Sequence, residues 1–336
     1  RVDVMWHMVK DELLRDNPPN PAYRDGDGSE YRRLVPAYSA DQPEVHEVVA
    51  EMRSVIDEYH DRLLIGEIYL PIDELVSYYG HDGRGAQLPF NFHLITMPWD
   101  AAQIRAMIDR YEGLLPDGAW PTWVLGNHDQ PRVASRIGDR QARVAAVLLL
   151  TLRGTPTLYY GEELGLRNVQ LAPEQVVDVH EDTEPGRGVG RDPERTPMPW
   201  DGSKTGGFTR GRPWLPLGAE NLARSVEAQR DDRSSMLTHT RRLIALRRAE
   251  RALAVGAYVP VRAGENLIAY RRQHAGRELL VALNLGPTPQ RLDLPEDFGA
   301  GRVLLSASGD GEGREVHGGV DLGADEALVV EPVDDA

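Results

Sequence analysis

The sequence predicts an α/β protein that joins part of a (β/α)8 barrel to a small antiparallel β-sandwich. In residues 1–253, short apolar runs typical of strands alternate with longer amphipathic runs typical of helices, a pattern that favours a parallel sheet covered by helices. Five such units are present, too few to close an eight-stranded barrel of about 250 residues. In residues 254–336 the helical period stops, and short alternating runs separated by Gly and Pro predict the sandwich.

Each unit of the first domain pairs one strand candidate with one helix candidate. Strands are predicted at 1–4, 63–65, 88–92, 122–125 and 155–160, and helices at 5–15, 44–60, 101–115, 140–153 and 234–251. The arginine pairs Arg241-Arg242 and Arg247-Arg248 of the last helix are expected to face solvent. The sandwich strands are predicted at 257–262, 267–272, 278–284, 290–294, 302–306 and 327–331.

The charge, the cysteine content and the apolar runs of the chain exclude several classes of ligand and a membrane-spanning segment. The formal net charge of −15 disfavours nucleic acid and anionic membrane surfaces but leaves neutral sugars unaffected. There are no cysteines, so disulfides and thiolate-bound zinc are excluded. The longest apolar run, 144–152, is far shorter than the roughly 20 residues of a membrane span. We expect a soluble cytoplasmic protein that acts as a monomer or small oligomer.

The first four residues, Arg1-Val2-Asp3-Val4, read as the end of a buried strand whose beginning is missing. We therefore expect the chain to start in mid-domain, with about three β/α units upstream. For the same reason, the absence of a visible targeting segment does not indicate where the protein is located.

Two long loops interrupt the alternation. The loop 16–39 contains Asp25-Gly26-Asp27-Gly28, which is suggestive of calcium. The EF-hand pattern fails there, because Glu30 occupies its glycine position and Pro36 its last ligand position, so we expect a solvated turn. The loop 167–216 is too long for a plain connection and is expected to be functional.

Three acidic residues, Asp3, Glu67 and Asp129, follow predicted strands at their carboxyl ends. These ends surround one mouth of a barrel, where active sites of this fold lie. A carboxylate placed there costs free energy unless it is hydrogen-bonded or functional. One such acid could simply cap the following helix, but three with polar companions indicate a catalytic site.

Two facing carboxyl groups suit the cleavage of a glycosidic bond, and this chemistry needs no cofactor and no metal. Glu67 follows the apolar strand 63–65, whose surroundings would raise the pKa of its carboxyl group and fit it for the acid role. Asp3 lies two residues from Arg1, whose charge would keep Asp3 ionised and orient it as a nucleophile.

These segments resemble the signature regions of glycoside hydrolase family 13, the α-amylase superfamily. The resemblance covers the nucleophile, acid/base and third-carboxylate regions and the last barrel strand, at 1–4, 66–67, 127–129 and 154–163 respectively. Residues 127–132 and 191–200 look like the α-glucosidase and oligo-1,6-glucosidase branch. The resemblance spans nearly the whole chain, in order from the fourth barrel strand to the C-terminal sandwich, so it implies strands 4 to 8 of the barrel.

The resemblance implies a retaining, double-displacement mechanism. Asp3 would form the covalent glucosyl intermediate, and Glu67 would donate and then take back the proton. Asp129 would bind sugar hydroxyls more strongly as the ring flattens, while Arg1 and His128 would bracket the same sugar.

The resemblance also implies an exo-acting pocket. Arg195, in the Arg-Thr-Pro-Met-x-Trp motif, is the candidate to hold the non-reducing end of the sugar. Arg191, four residues earlier, is the candidate for the next site. Charge-assisted hydrogen bonds to hydroxyl groups are strong and directional, which suits a pocket for a terminal sugar.

The substrate is expected to be a short oligosaccharide with α-1,6 or α-1,4 linkages. In this branch, a valine after the nucleophile, here Val4, tends to accompany α-1,6 activity. Sucrose isomerases of the branch carry an Arg-Leu-Asp-Arg-Asp motif, whereas Thr96-Met97-Pro98-Trp99-Asp100 stands here, which favours hydrolysis over glucosyl transfer.

A non-catalytic alternative is a heavy-chain partner of amino-acid transporters, since such proteins share the fold but often lose the carboxylates. All three acids are present here, which favours an enzyme. Because the early strands are absent, the 336-residue chain by itself is expected to be inactive.

Overall fold

The computed structural model describes residues 1–25 and 29–333. Residues 26–28 of the calcium-like segment lie outside the described residues. Among the described residues, no helix is both long and apolar enough to cross a bilayer.

Residues 1–253, called the catalytic region below after the function expected of them, contain four short parallel strands arranged in chain order. Strands β1 (Ile65–Gly66) and β2 (Leu88–Pro89) form one pair, and β3 (Thr122–Val124) and β4 (Thr155–Thr157) form the second. Val2 adds a parallel bridge to Gly66 on the outer side of β1. These segments form an arc with no closed barrel among the described residues.

A threonine side chain joins the two strand pairs. The Thr122 hydroxyl donates to the Pro89 carbonyl oxygen and accepts from the Asn91 amide at 3.3 Å. The buried Thr122 side chain takes the place of a backbone ladder between β2 and β3. It gives a partner to the Pro89 carbonyl and the Asn91 amide, which would otherwise be unpaired.

Ten α-helices lie among the described residues. They are Val45–Ile56, Ile72–Ser77, His93–Thr96, Ala101–Leu114, Val133–Thr151, Val179–Thr183, Ala219–Ala223, Val226–Gln229, Met236–Ala249 and Arg251–Val255, numbered α1 to α10. Short 3-10 turns occupy Met5–His7, Glu30–Arg33, His81–Gly83, Glu162–Leu164, Pro173–Gln175 and Asp192–Glu194. Helix α5 is the central one, because its apolar run 144–150 is buried throughout.

The helix predicted at 5–15 is wrong, because only the turn Met5–His7 forms. The apolar residues in this stretch mimic a helical period, but its backbone is paired elsewhere. The Asp11 amide donates to the Tyr38 carbonyl oxygen, and the Asp41 amide donates to that of Trp6. These long-range bonds draw the loop 16–39 back onto the first residues of the chain.

The C-terminal region is antiparallel. Six strands form one sheet in the order β10-β9-β12-β7-β6-β5: Glu315–His317, Ala300–Ser306, Ala327–Val333, Arg277–Asn284, Leu267–His274 and Ala257–Pro260. A second sheet pairs β8 (Gln290–Asp293) with β11 (Gly319–Leu322). Strands β10 and β11 are absent from the sequence prediction.

Strict alternation along the long strands divides their side chains between two cores. Ile268 and Tyr270 pack with the helices of the catalytic region. Leu267 and Ala269 pack instead with Leu292 and other residues of the small sheet. The period of two along a strand therefore places one face of the large sheet against each neighbour.

The expectation that the pair Arg247-Arg248 faces solvent is wrong for Arg247. Its guanidinium donates to the carbonyl oxygens of Leu150, Leu152 and Gly154 at 2.6–3.0 Å. These carbonyls lie at and just beyond the C-terminal end of α5, where the helix leaves acceptors unpaired. Arg247 therefore caps the central helix instead of facing solvent.

Candidate active site

The pairing of Val2 with Gly66 brings two acidic side chains together. The Val2 amide donates to the Ile65 carbonyl oxygen at 2.8 Å, and the Glu67 amide donates to that of Val2 at 3.0 Å. Asp3 and Glu67 thus leave neighbouring parallel segments at the same end. A Cβ at Gly66 would lie 2.6 Å from the Met5 sulfur, so a larger residue there would displace the end of the Met5 side chain.

Arg1 binds both carboxyl groups. Its Nη1 lies 2.9 Å from Asp3 Oδ1, and its Nη2 lies 2.5 Å from Glu67 Oε2. One guanidinium group therefore bridges the two carboxyl groups. The Asp3 side chain is 70% exposed and is therefore open to solvent. A retaining pair works at a separation of about 5–5.5 Å.

The two carboxyl groups are electrostatically unequal. Burial, followed by the hydrogen bond with Asp3, raises the pKa of Glu67 to about 7, although the nearby Arg1 opposes this rise. The hydrogen bond with Glu67, together with the charges of Arg1 and His128, lowers the pKa of Asp3 below its ordinary value. Near neutral pH the first group therefore retains a proton while the second is ionised, a division that suits an acid and a nucleophile.

Asp129 is held by three basic groups. Its Oδ1 accepts from Arg195 Nη2 at 2.8 Å and from Arg191 Nη1 at 3.1 Å, while His128 Nε2 lies 3.3 Å from Oδ2. Arg195 Nε also donates to the His128 carbonyl oxygen at 2.7 Å. The segment 127–129 and the long loop 167–216 are thereby joined at one carboxylate.

Asp178 belongs to this cluster and was missed in the sequence. Arg191 donates to it through Nε at 2.9 Å and Nη2 at 2.7 Å, a bidentate pair, and its backbone amide donates at 2.8 Å. These bonds hold the pKa of Asp178 far below its ordinary value. Asp178 lies in a loop without periodicity, so no local signal pointed to it.

Tyr69 is the second missed residue, and it links the two carboxylate clusters. Asn127 Nδ2 lies 2.7 Å from the Tyr69 hydroxyl. Burial raises the pKa of Tyr69 to about 12, and the negative charges of Asp129 and Glu67 act in the same direction. Its position two residues after Glu67 was the only available hint. The seven sequence-predicted site residues thus form two adjoining groups with Tyr69 between them.

A buried arginine supports the loop that carries Asp129. Arg132 is 1% exposed, and its Nη1 donates to the Tyr160 carbonyl oxygen at 2.7 Å. The Tyr160 hydroxyl in turn donates to the Thr196 carbonyl oxygen at 2.6 Å, next to Arg195. Through Arg132 and Tyr160, these contacts connect the loop that carries Asp129 with the backbone next to Arg195.

A cleft of about 800 Å³ opens beside Asp129 and Arg191. Its lining comes from the segment 129–131, the loop 167–216 and the short stretch 29–32. Among the described residues, no group of three or more His, Asp or Glu side chains is arranged to hold a metal ion. The described side chains of the site are mainly carboxyl and guanidinium groups.

Parallel strands that present a protonated and an ionised carboxyl group at one mouth define a glycosidase-type catalytic domain. Residues 1–256 match the family described as alpha amylase, catalytic domain, and residues 256–329 match a domain of unknown function, DUF3459. The chain belongs to the alpha-amylase family.

Known relatives include α-glucosidases. Maltase A1 of Drosophila melanogaster is 31% identical over 90% of this chain and 56% of its own length. Oligo-1,6-glucosidase of Halalkalibacterium halodurans is 30% identical over 84% of this chain and 56% of its own length. The crystal structure of the α-glucosyl transfer enzyme XgtA is 32% identical, with a TM-score of 0.87, and the match covers 98% of this chain and 63% of that one. The chain thus spans about half to two thirds of these relatives.

Proposed function

We propose that this chain carries the catalytic carboxyl groups of a retaining, exo-acting α-glucosidase that hydrolyses terminal α-1,6 or α-1,4 bonds of short oligosaccharides. One observation carries the proposal: Asp3 and Glu67 face each other with their pKa values moved in opposite directions. The match to oligo-1,6-glucosidase and the presence of Val4 after the nucleophile support α-1,6 bonds as the preferred substrate.

In the first step, the ionised Asp3 attacks the anomeric carbon while the protonated Glu67 gives its proton to the departing oxygen. The glycosidic C–O bond breaks, and a glucosyl ester forms on Asp3. In the second step, the Glu67 carboxylate takes a proton from water as the water oxygen attacks the same carbon. Asp3 is released, and the configuration at the anomeric carbon is retained.

The second cluster holds the terminal sugar. Asp129 is placed to accept hydrogen bonds from sugar hydroxyls, with Arg195 and His128 beside it. An ionised partner makes these hydrogen bonds stronger than neutral ones. Arg191, fixed by Asp178, lies where the cleft continues and is assigned to the next sugar.

Glucosyl transfer is the second candidate, because the solved structure of XgtA is that of an α-glucosyl transfer enzyme. Water and a second sugar compete for the same ester on Asp3, so both outcomes use the same first step. Hydrolysis is preferred here because Thr96–Asp100 lacks both arginines of the isomerase motif.

The activity is assigned to the complete product of the reading frame that encodes this chain. The 336-residue chain alone is proposed to be inactive, because its short strands form an open arc and the Leu158 and Tyr160 side chains beyond β4 are 38% and 36% exposed. Normal turnover by the isolated chain would contradict this part of the proposal.

A covalent trap tests the proposal. The complete gene product is incubated with 5-fluoro-α-glucosyl fluoride, a slow substrate that accumulates the ester intermediate, and then digested for mass spectrometry. We expect the label on the peptide that contains Asp3, and glucose with retained configuration from isomaltose and maltose. A label on another carboxylate, or inversion of configuration, would overturn the proposal.

A further inference from the structure

A second cleft lies between the catalytic region and the C-terminal region. Its volume is about 650 Å³, and its walls are helix α5, the segment 233–242 with the first turns of α9, and the turn 308–312 that follows β9. It shares no lining residue with the cleft beside Asp129. Among the described residues, this second cleft is therefore separate from the proposed sugar site.

Three arginines line the second cleft: Arg143 of α5, Arg233 just before α9, and Arg242 within α9. Arg143 donates through Nε to the Ala307 carbonyl oxygen at 2.6 Å and through Nη1 to that of Ser234 at 3.1 Å. These two bonds fix the Arg143 guanidinium group between the catalytic region and the C-terminal region.

The positive charges of these arginines are only partly neutralised. Arg242 pairs with Glu312. In the part of the chain that the structure describes, no carboxylate lies within ion-pair distance of Arg143 or Arg233. Burial, followed by the positive charge of Arg242, lowers the pKa of Arg143, although Asp232 acts in the opposite direction. In a chain with a formal net charge of −15, the second cleft is therefore a local region that attracts anions.

The remaining lining of the second cleft is polar. The Asp310 carboxylate lines it and accepts no hydrogen bond from the described residues. His239 is 1% exposed, and burial, followed by the charge of Arg143, lowers its pKa to about 3, so it adds no charge. Every lining residue is charged, polar or glycine, which suits a sugar better than an aromatic base. Hydroxyl groups line the cleft at Ser234, Thr238 and Ser308.

From this arrangement we infer that the second cleft binds a phosphorylated monosaccharide. Guanidinium groups match phosphate oxygens in charge and geometry, so Arg143, Arg233 and Arg242 hold the phosphate group. The Asp310 carboxylate accepts hydrogen bonds from the sugar hydroxyls. A volume of about 650 Å³ lies within the range of small-ligand sites, about 300–1,000 Å³. The inference does not rest on the proposed function, because no residue assigned to catalysis or to the terminal sugar lines this cleft.

Isothermal titration calorimetry of the complete gene product tests the inference, with glucose 6-phosphate, inorganic phosphate and adenosine monophosphate as probes. Glucose 6-phosphate should bind more tightly than either of the other two. Arg242→Met should weaken its binding about tenfold or more and Arg233→Met about threefold or more, because each removes a charge-assisted hydrogen bond to phosphate. The Arg233 side chain is exposed and makes no hydrogen bond with the described residues, so its replacement leaves the fold unchanged.

The matched control is Arg241→Met, which removes the same charge from the exposed neighbour of Arg242, outside the cleft. Its affinity for glucose 6-phosphate should stay within about twofold of the wild type. Asp310→Ala should weaken the binding of glucose 6-phosphate about threefold without weakening that of inorganic phosphate, because only the sugar loses a partner. Hydrogen exchange of the segment 308–312 should slow when glucose 6-phosphate is added.

Equal affinity for glucose 6-phosphate in the wild type and in both cleft variants, Arg233→Met and Arg242→Met, would overturn the inference. Inorganic phosphate or adenosine monophosphate binding as tightly as glucose 6-phosphate would overturn it as well, as would unchanged hydrogen exchange at 308–312. None of these results bears on the α-glucosidase proposal, which depends on the covalent label at Asp3.

Discussion

The strands of the catalytic region have two or three residues each, whereas those of the C-terminal region reach eight. In the C-terminal sheets, buried positions are mostly apolar, and ion pairs such as Arg291–Asp321 lie exposed on the surface. In the catalytic region, carboxyl groups are buried, and burial raises the pKa of Glu67 and Glu194 to about 7 and that of Glu162 to about 8.

The two regions differ in how they satisfy the hydrogen-bonding groups of their backbones. In the long antiparallel strands, the backbone N–H and C=O groups pair with those of the neighbouring strands, so the side chains are free to fill two cores. Short parallel strands end early, and side-chain bonds such as those of Thr122 and Arg132 must complete what the ladder does not. Perturbed titratable groups cluster at functional sites. Truncations between the two C-terminal sheets should therefore affect stability but not the chemical step, whereas changes at the carboxyl groups of the first region should affect the chemical step.

Replacing the paired carboxyl groups should give the largest effect. In the complete gene product, Asp3→Asn and Glu67→Gln should each lower kcat/KM for isomaltose by about 10³-fold or more, because nucleophile and acid are lost. With α-glucosyl fluoride, whose leaving group needs no proton, Glu67→Gln should still show a burst of fluoride release. Glu315→Gln in the C-terminal region is the control and should stay within about twofold, with unchanged melting temperatures for all three variants.

Truncation of the sandwich core should change stability without changing chemistry. Leu280 is fully buried between the two C-terminal sheets, so Leu280→Ala should lower the free energy of unfolding by about 2–5 kcal/mol. Because the site lies in the other region, kcat/KM at 25 °C should stay within about twofold. Val55→Ala, a truncation at a half-exposed position of α1, should cost under about 0.5 kcal/mol in urea titrations. A large loss of kcat/KM in folded Leu280→Ala would break the separation of roles.

Two similar ion pairs allow a direct comparison of the regions. Asp178→Asn removes the bidentate partner of Arg191 and should lower kcat/KM for isomaltose about 10- to 100-fold, chiefly through KM, because hydrogen bonds to charged groups contribute about 1.5–3 kcal/mol. Asp321→Asn removes the exposed partner of Arg291 and should change neither kcat nor KM. Equal effects of the two substitutions in steady-state kinetics would contradict the assignment of Arg191 to the sugar site.

The pH profile should give the smallest and most specific effect. Because Glu67 must be protonated to act as the acid, and its pKa is raised to about 7, kcat/KM should fall about tenfold per unit as the pH rises above about 7. The limb at low pH should lie below the ordinary titration range of an aspartate, because Asp3 has a lowered pKa and must be ionised. Far-ultraviolet circular dichroism that stays constant over the same range would exclude unfolding as the cause. A profile flat from pH 5 to 9 would remove Glu67 from the acid role.

Much of the fold could be predicted from the sequence because its periodicities are local. The consecutive apolar residues of β6 and β7 specify strands that are buried on both faces, and the apolar run in α5 specifies a buried helix. Ala275-Gly276, with φ of 49° and 81°, forms the two-residue turn between β6 and β7, where positive φ matches the twist of the strands. The segment 5–15 shows the limit, since its apparent helical period is overridden by backbone bonds to residues far along the chain.

The sequence by itself determined the identities and order of the acidic residues at strand ends, and with them the family, because strand patterns and short motifs are local properties. Only the tertiary structure decided that Asp178 holds Arg191, that Arg247 caps α5, and that the loops at 16–39 and 167–216 meet at Glu184, which accepts from the Ser29 hydroxyl. Each of these contacts joins irregular or distant segments. In a loop without periodicity, no sequence pattern predicts which residue it will contact. The type of each residue determines its charge and its hydrogen-bonding groups, but the partner of those groups is determined only by the folded structure.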